Sequence, residues 1–241
     1  MPASHTALYC WDFAVTAGSR GGEGGERCPE MDYKKTAEEV SAKVLFYLQD
    51  TEGWKVVKST KHMDVLAKPS TEFPGFLYRT EVSLEIPPHK LFPFVYQPEY
   101  RSKWDKSLQS YQIVEIIDQD TFIYRSITHS YGFGMVSQRD FVYMLHVKTY
   151  DGNLMTTNSI SVVHPDLLPT PAYIRGTTFS SGYVCLPLPE NPEHTRLTII
   201  LQVDLGGFLT PSVINSVMPM TLLNFVTDCK SGLKMLRETI T

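Results

Sequence analysis

The sequence is poor in cysteine and has none of the cysteine patterns that mark secreted or metal-binding domains. Its four cysteines, among 241 residues, form no CxxC pair and no cluster with histidine at zinc spacing. The chain also lacks an Asn-x-Ser/Thr acceptor, and its start lacks the basic segment and apolar run of a secretory signal. We therefore expect a reduced protein that works in the cytoplasm.

An excess of positive charge is also missing. Lys and Arg number 22 against 26 Asp and Glu, which gives a net charge of −4. A dedicated nucleic-acid binder would carry a basic surface, so we expect no nucleic-acid partner. Phosphate-binding, zinc-protease and nucleophile-elbow motifs are absent as well. The sequence therefore predicts no enzyme, no cofactor and no metal site.

Long, strongly apolar runs are missing too, although one uncharged segment is long enough to span a bilayer. Residues 205–227 contain no charged side chain. The segment includes Pro211, Pro219, a pair of glycines and several hydroxyl and amide groups, and polar groups are costly in lipid. We expect this segment to touch a membrane surface transiently and not to cross it.

The first 30 residues differ in composition from the rest of the chain. They contain a glycine-rich tract, Gly18–Glu26, and show no amphipathic period. We expect residues 1–30 to form a disordered extension. A helical pattern begins at Met31 and stops near Gly53. Residues 31–241 are long enough for one domain with a substantial core.

Strand patterns dominate the middle of the chain, and a long helix ends it. The expected strands are Gly53–Thr60, Asp64–Lys68, Phe76–Ile86, Leu108–Ile117, Thr121–Thr128, Arg139–Tyr150, Leu154–His164, Tyr173–Leu186 and Thr195–Leu205. A short helix is expected from Pro88 to Gln97, before a polar stretch around Arg101–Lys106. Apolar spacings of three and four predict a final helix over Pro211–Glu238, kinked at Pro219. The fold class is thus α+β, with an antiparallel sheet of about nine strands.

The broad apolar surface of the final helix allows two interpretations. In the first, the helix fills the concave side of the sheet as an ordinary core. In the second, helix and sheet enclose a cavity, and the helix serves as its lid. The loop His129–Gln138 favours the second interpretation, because solvated loops seldom carry so many apolar side chains without a partner. Those side chains are Tyr131, Phe133, Met135 and Val136.

Several short motifs occur together in an order that resembles a known family. They are Asp50–Lys55, Leu77–Arg79, Trp104–Gln109, Asp120–Ile123, Arg139–Phe141, Ile174–Gly176, Pro211–Ser212, Met218–Pro219 and Asn224–Phe225. Their ordered set resembles the StAR-related lipid-transfer (START) domain, in its small, soluble, single-domain branch, over about residues 31–239. One departure is Thr177–Gly182, where many relatives have an Asn-His-Pro-Cys-Gly run.

The resemblance implies both a fold and a function. The fold is a helix-grip, in which a curved antiparallel sheet wraps around the C-terminal helix and leaves a tunnel for one lipid. The function is that of a non-enzymatic, monomeric carrier, which moves a sterol-like or other lipid between membranes and touches their surfaces transiently. The alternative is a ligand sensor or a cyclase-like enzyme on the same fold. A catalytic version would place a base and a polar partner in the tunnel, and the sequence shows no such pair.

The resemblance also assigns a gate to the tunnel. The loop His129–Gln138 matches the family's gating loop, which lies beside the lid helix. Tyr131, Phe133 and Met135 are then gate residues that contact the bilayer interface. Pro219 gives the lid helix a point at which to bend.

Inside the tunnel, the resemblance points to two positions of special interest. Ser126 and Leu145 occupy the positions of a facing acid–arginine pair in the steroidogenic member, so that ion pair is missing here. The expected lipid-binding residues are Ser126, Tyr143, Leu145, Met218, Leu222 and Phe225. The motif residues Asp105 and Asp140 are interpreted as structural anchors at strand ends, with one or the other paired with an arginine.

Overall fold

The computed structural model describes residues 31–240, and the expected disordered extension of residues 1–30 lies outside the described residues. The helices are α1 (Tyr33–Gln49), α2 (Pro88–Tyr96), α3 (Pro98–Trp104) and α4 (Pro211–Ile240). The strands are β1 (Lys55–Ser59), β2 (Asp64–Pro69), β3 (Phe76–Leu84), β4 (Leu108–Ile116), β5 (Thr121–Thr128), β6 (Arg139–Tyr150), β7 (Leu154–Ser161), β8 (Ile174–Arg175), β9 (Thr177–Thr178), β10 (Gly182–Leu188), β11 (Asn191–Leu201) and β12 (Val203–Asp204).

The strands form one large sheet in the order β1-β2-β3-β11-β10-β7-β6-β5-β4, with every neighbouring pair antiparallel. The expectation of about nine antiparallel strands is confirmed. In addition, β8 pairs in parallel with the first residues of β6, beyond the point where β7 ends. Strands β9 and β12 form a small second sheet. The pairing of β11 with β3 joins the last long strand of the chain to the first three.

The large sheet curves around α4. Val65 on β2 and Tyr111 on β4 lie near opposite edges of the sheet, yet both belong to the same buried cluster as Leu222 of α4. A flat sheet of this width could not bring both edges to one helix, and twisted sheets curl readily. The molecule therefore has the expected helix-grip arrangement.

Helix α1 covers the opposite face of the sheet. Its Val44 and Tyr47 pack against Leu77 of β3 and Ile200 of β11 in a second apolar cluster. Ile200 interrupts the apolar–polar alternation of β11 in the sequence, and its burial beneath α1 explains the interruption. The sheet is thus apolar on both faces along this part of the molecule.

Three segments differ from the sequence-based expectations. The polar stretch around Arg101–Lys106 is largely helical, because α3 begins at Pro98, which suits the first turn of a helix. The single strand expected over Tyr173–Leu186 is divided into β8, β9 and β10. The strand expected over Thr195–Leu205 breaks at Gln202, whose buried side-chain amide donates to Glu72 and to the Ser180 carbonyl, both at 2.9 Å.

Asp140 anchors the start of β6, and the predicted pairing with arginine is confirmed. Arg175 donates Nε and Nη2 to its carboxylate at 2.8 Å, and Arg125 Nη2 adds a third bond at 3.1 Å.

We expect Asp140→Asn to lower the free energy of unfolding by ~3–5 kcal/mol in urea titrations, because two guanidinium groups lose their buried partner. Glu38→Gln breaks only the exposed pair with Lys148 and should cost at most ~1 kcal/mol. Equal losses in the two variants would contradict a special role for Asp140.

Two cysteines lie within the described residues, Cys185 on β10 and Cys229 on α4, and both are free and buried. Burial raises the pKa of Cys229 to about 12 and also raises the pKa of Cys185. Both side chains are therefore thiols at neutral pH, and the thiolate is the reactive form.

We expect iodoacetamide to leave both cysteines unlabelled in the native protein and to label both after denaturation, as mapped by peptide mass spectrometry. Labelling of native Cys229 would mean that α4 leaves the sheet.

Candidate functional site

A cavity of about 530 Å³ lies between α4 and the concave face of the sheet. Its wall is mostly apolar and includes Leu145, Ile199 and Leu205 from the sheet and Val217 and Leu222 from α4. This volume falls within the range of ~300–1,000 Å³ that is typical of small-molecule sites. The interpretation that helix and sheet form only a filled core is therefore wrong.

All six residues expected to bind lipid line this cavity. They are Ser126 on β5, Tyr143 and Leu145 on β6, and Met218, Leu222 and Phe225 on α4. Their contact with a lipid remains a prediction. One detail of the expectation is wrong: Ser126 lies opposite Phe141 in the strand register, whereas Leu145 lies opposite Phe122. The two positions share the inner face but are about 13 Å apart along the strands, at about 3.3 Å per residue.

The loop between β5 and β6 closes one end of the cavity. Tyr131 and Val136 bond to each other through their backbone N–H and carbonyl groups, at 3.0 and 3.1 Å. Gly132 packs directly on α4, since a Cβ at this position would lie 3.0 Å from Val217 Cγ2. Tyr131, Phe133 and Met135 all line the cavity here. Their role as a gate stays a prediction.

The cavity reaches the protein surface beside this loop. Among its large apolar lining residues, Phe133, Met135 and Met220 are exposed, and we call the opening between them the mouth. Pro219 is buried next to the mouth but does not line the cavity. Helix α4 continues through Pro219 to Ile240, and the function of Pro219 as a hinge remains a prediction.

A polar cluster interrupts the apolar wall. Arg101 on α3 donates Nε to Asp105 Oδ2 at 3.0 Å, which confirms the expected pairing of Asp105 with an arginine. Asp105 Oδ1 accepts from the backbone N–H and the hydroxyl of Ser107, at 3.1 and 2.6 Å. Both Arg101 and Asp105 line the cavity. The cavity wall therefore carries an ion pair, at positions other than those of Ser126 and Leu145.

Aromatic rings surround the guanidinium group of Arg101. The rings of Tyr111, Tyr183 and Phe225 have their centroids 4.8, 5.3 and 5.1 Å from Arg101 Cζ. Such contacts stabilise a cation that is removed from water. We refer to Arg101, Asp105 and the three cavity tyrosines beside them, Tyr111, Tyr143 and Tyr183, as the polar cluster.

The tyrosines of the polar cluster are neutral hydrogen-bonding groups. Burial raises the pKa values of Tyr111, Tyr143 and Tyr183 above the usual value. Tyr111 Oη is buried beside the hydroxyl of Tyr143 but makes no hydrogen bond of good geometry, and a poorly paired buried hydroxyl costs free energy unless a better partner is supplied. A ligand atom that accepts or donates a hydrogen bond would satisfy it.

The polar cluster and the gate loop contact α4 at different points. Phe225, which packs on Arg101, and Val217, which packs on the gate loop, are about 12 Å apart along α4, at about 1.5 Å per residue. The cavity can thus hold an elongated molecule whose polar end is buried and whose apolar body extends towards the mouth.

The sequence carried a signal for the polar cluster. Arg101 and Asp105 are four residues apart, the spacing at which helical side chains pair, and Pro98 marks the start of a helix. Because residues 101–106 were predicted to be a polar stretch and not a helix, the pairing of these two side chains was not predicted. Among residues 31–240, moreover, no three acidic, histidine or cysteine side chains are grouped closely enough to hold a metal ion.

Comparison with known protein families agrees with this architecture. The START domain model matches residues 35–239, which is most of the chain. The chain belongs to the START domain family. The resemblance based on the short motifs is thereby confirmed, and the helix-grip arrangement is that of the family.

Individual START proteins align over nearly their whole lengths. Human StAR-related lipid transfer protein 6 is 44% identical over 204 residues, which cover 85% of this chain and 93% of the relative. Bovine StAR-related lipid transfer protein 5 is 34% identical over 203 residues, covering 83% and 95% of the two chains. The solved structure of the human StAR-related lipid transfer protein 5 matches with a TM-score of 0.82 at 31% identity, over 85% of this chain and 98% of that one. This START domain has no helix, within residues 31–240, that is long and apolar enough to cross a membrane.

Proposed function

We propose that this START protein is a non-enzymatic carrier that binds one amphipathic lipid in its cavity and moves it between membranes. The observation that carries the proposal is the cavity itself, which is apolar along most of its wall and has one buried polar cluster away from the mouth. The names of its relatives, which describe lipid transfer, support the same conclusion.

The physical task of such a carrier follows from the hydrocarbon area of its ligand. A sterol-sized molecule must leave its membrane against a cost of ~0.8 kcal/mol for each CH₂ group exposed to water, which amounts to more than ~10 kcal/mol in total. A cavity that shields the hydrocarbon lowers this barrier without chemistry. Tight binding would hinder delivery, so we expect only a modest preference for the cavity over the membrane.

The polar cluster narrows the class of ligand. Arg101 and the Tyr111 hydroxyl suit a hydroxyl, carbonyl or other oxygen at the end of the lipid that enters first. The rise of about 12 Å along α4, from the position of the cluster to that of the gate loop, suits a sterol-like body or a single short chain. We therefore propose a sterol-like lipid, or another lipid with one small oxygen-bearing polar end.

The arrangement supports carriage over catalysis. Asp105 is the acidic side chain of the polar cluster, and both of its oxygens accept hydrogen bonds, from Arg101 and from Ser107. Both oxygens of this carboxylate are thus engaged by neighbouring groups of the protein, as in a structural anchor. We further propose that the protein works as a monomer in the cytoplasm, without a nucleic-acid partner.

The experiment that tests this function is recovery of the bound lipid. The protein is incubated with phosphatidylcholine vesicles that contain cholesterol, separated by gel filtration, and examined by native mass spectrometry and lipid extraction. We expect a one-to-one complex with an unaltered lipid. A chemically altered lipid would indicate an enzyme, and the absence of any bound lipid would overturn the proposal.

A substitution that fills the cavity should prevent lipid binding, and the same substitution at an exposed serine serves as its control. Ser126 is buried on the inner face and lines the cavity, whereas Ser83 is exposed on β3. We expect Ser126→Phe to occupy space needed by the ligand and to lower the recovered lipid by roughly tenfold or more. Ser83→Phe should leave lipid recovery unchanged. If Ser126→Phe folds, as judged by circular dichroism, and still binds lipid fully, the ligand lies elsewhere.

A further inference from the structure

Two fully exposed phenylalanines stand in separate loops, and one of them, Phe133, lies at the mouth. Phe133 and Phe208 expose 107% and 110% of their reference areas. Phe208 follows Gly206 and Gly207, which have φ values of 62° and 70°. A Cβ at Gly206 would approach the Arg175 carbonyl oxygen to 2.7 Å, so this turn requires glycine.

The side chain of Arg139 joins the two loops. This arginine is almost fully buried, with 1% of its area exposed. Its Nη1 donates to the Ser137 carbonyl at 2.6 Å, at the base of the Phe133 loop. Its Nε donates to the Leu205 carbonyl at 2.9 Å and its Nη2 to the Gly206 carbonyl at 3.2 Å, at the base of the Phe208 loop. Because the guanidinium is planar and rigid, it fixes the positions of the two loop bases relative to each other.

The two chain segments that carry the phenylalanines have no charged side chain, and the nearest acid along the chain is Asp204, which accepts from the Gly206 N–H at 2.9 Å. Residues 130–138 and 205–227 contain no Asp, Glu, Lys or Arg. The side chains that flank the mouth there, Met135 and Met220, are exposed and apolar. A surface that recognises anionic lipids needs clustered lysine or arginine side chains, and neither of these segments provides one.

We propose that Phe133 and Phe208 form a two-point anchor that places the mouth against the interface of an electrically neutral bilayer. The proposal rests on the proposed function, because a lipid carrier must bring its mouth to a membrane. Each loop inserts one aromatic ring among the lipid headgroups. Arg139 keeps the two rings at a fixed separation, and the mouth lies beside the Phe133 loop.

A bilayer fits this surface better than a protein partner does. Protein interfaces combine a packed apolar centre with a polar rim that makes specific hydrogen bonds. Here the two rings project singly from glycine-containing loops, and no charged side chain of either segment surrounds them. In addition, the cavity that would receive a lipid opens beside one of the two rings.

Tryptophan substitution tests the two contacts separately. Phe133→Trp and Phe208→Trp are each mixed with vesicles of pure phosphatidylcholine, and the wild-type emission is subtracted to remove the signal of the native tryptophans. We expect the emission of both variants to shift to shorter wavelength, and brominated lipids to quench both. Phe46 is exposed on α1, on the opposite side of the sheet, so Phe46→Trp should show neither effect. A shift at Phe133→Trp alone would overturn the two-point anchor.

Polar substitution tests the effect on transfer. We expect Phe133→Ser and Phe208→Ser each to slow sterol transfer between phosphatidylcholine vesicles by roughly tenfold, and the double variant to be slower still. Phe46→Ser should transfer at the wild-type rate. Addition of about 20 mol% phosphatidylserine, or of salt, should change the wild-type rate by less than about twofold. A strong dependence on either one would show that charge, and not the aromatic pair, directs docking.

Binding in the absence of vesicles separates this proposal from the proposed function. Cholesterol delivered from cyclodextrin reaches the cavity without a membrane. We expect Phe208→Ser, whose ring does not line the cavity, to bind it as the wild type does, while its transfer between vesicles is slow. Full transfer by Phe208→Ser, together with normal binding, would overturn the anchor and leave the carrier function intact. No binding by the wild type would overturn the carrier function itself.

Discussion

Leu145→Arg is expected to destabilise the protein by ~3–5 kcal/mol and to abolish lipid binding. Leu145 is 1% exposed and lines the cavity from the inner face of β6. Its neighbours across the adjacent strands are Phe122 and Ser159, neither of which can neutralise a guanidinium. The new charge would remain buried without a partner, or it would reach into the space that the lipid needs.

The measurement is a urea titration combined with cholesterol binding from cyclodextrin. Leu145→Met is the matched control, since it retains the apolar character and nearly the volume of leucine and should cost less than ~1.5 kcal/mol. If Leu145→Arg were as stable as the wild type and bound cholesterol normally, the inner face of β6 would be assigned wrongly.

Periodic patterns in the sequence were sufficient to locate most of the regular elements. The strands Thr121–Thr128 and Arg139–Tyr150 have their predicted bounds, because turn residues mark both ends and apolar side chains fill the length. Helix α4 was evident from its continuous apolar stripe. Such signals are local, since each depends on which face of one element is buried.

Errors occurred where long-range contacts decide the local structure. The break after β11 depends on Gln202, which turns inward to bond Glu72 and Ser180, from distant parts of the chain. The pairing of β8 with β6 likewise depends on the Arg175–Asp140 ion pair. The apolar–polar pattern within residues 173–205 contains no information about these distant hydrogen-bond and ion-pair partners.

The apolar part of the candidate site was predicted from the sequence, whereas most of its polar part was not. The apolar wall followed from family resemblance, because inward positions such as Leu145 and Leu222 are set by strand register and helix period. The polar cluster brings together Arg101 from α3, Tyr183 from β10 and Phe225 from α4. Only the folded sheet places these three side chains together, so the sequence indicated at most the local pair Arg101–Asp105.

Arg101→Met is expected to remove sterol binding and to lower the free energy of unfolding by ~3–5 kcal/mol, as for other broken buried ion pairs. The loss of stability arises because Asp105 Oδ2 loses its donor while the carboxylate stays buried. The loss of binding arises because the polar end of the lipid would meet an apolar wall. Two effects of one substitution must be separated before Arg101 is assigned a ligand-binding role.

A double-mutant cycle with Asp105→Asn makes that separation. In Arg101→Met/Asp105→Asn the buried charge is gone, and Ser107 still donates its hydroxyl to the remaining amide oxygen. We therefore expect the double variant to recover much of the stability lost in Arg101→Met, as measured in urea, without recovering cholesterol binding from cyclodextrin. Arg101→Lys retains the charge and should keep part of the binding, although it lacks the planar group that packs among the rings. If the double variant regained both stability and full binding, Arg101 would serve the fold alone, and the polar end of the ligand would contact other side chains of the cavity.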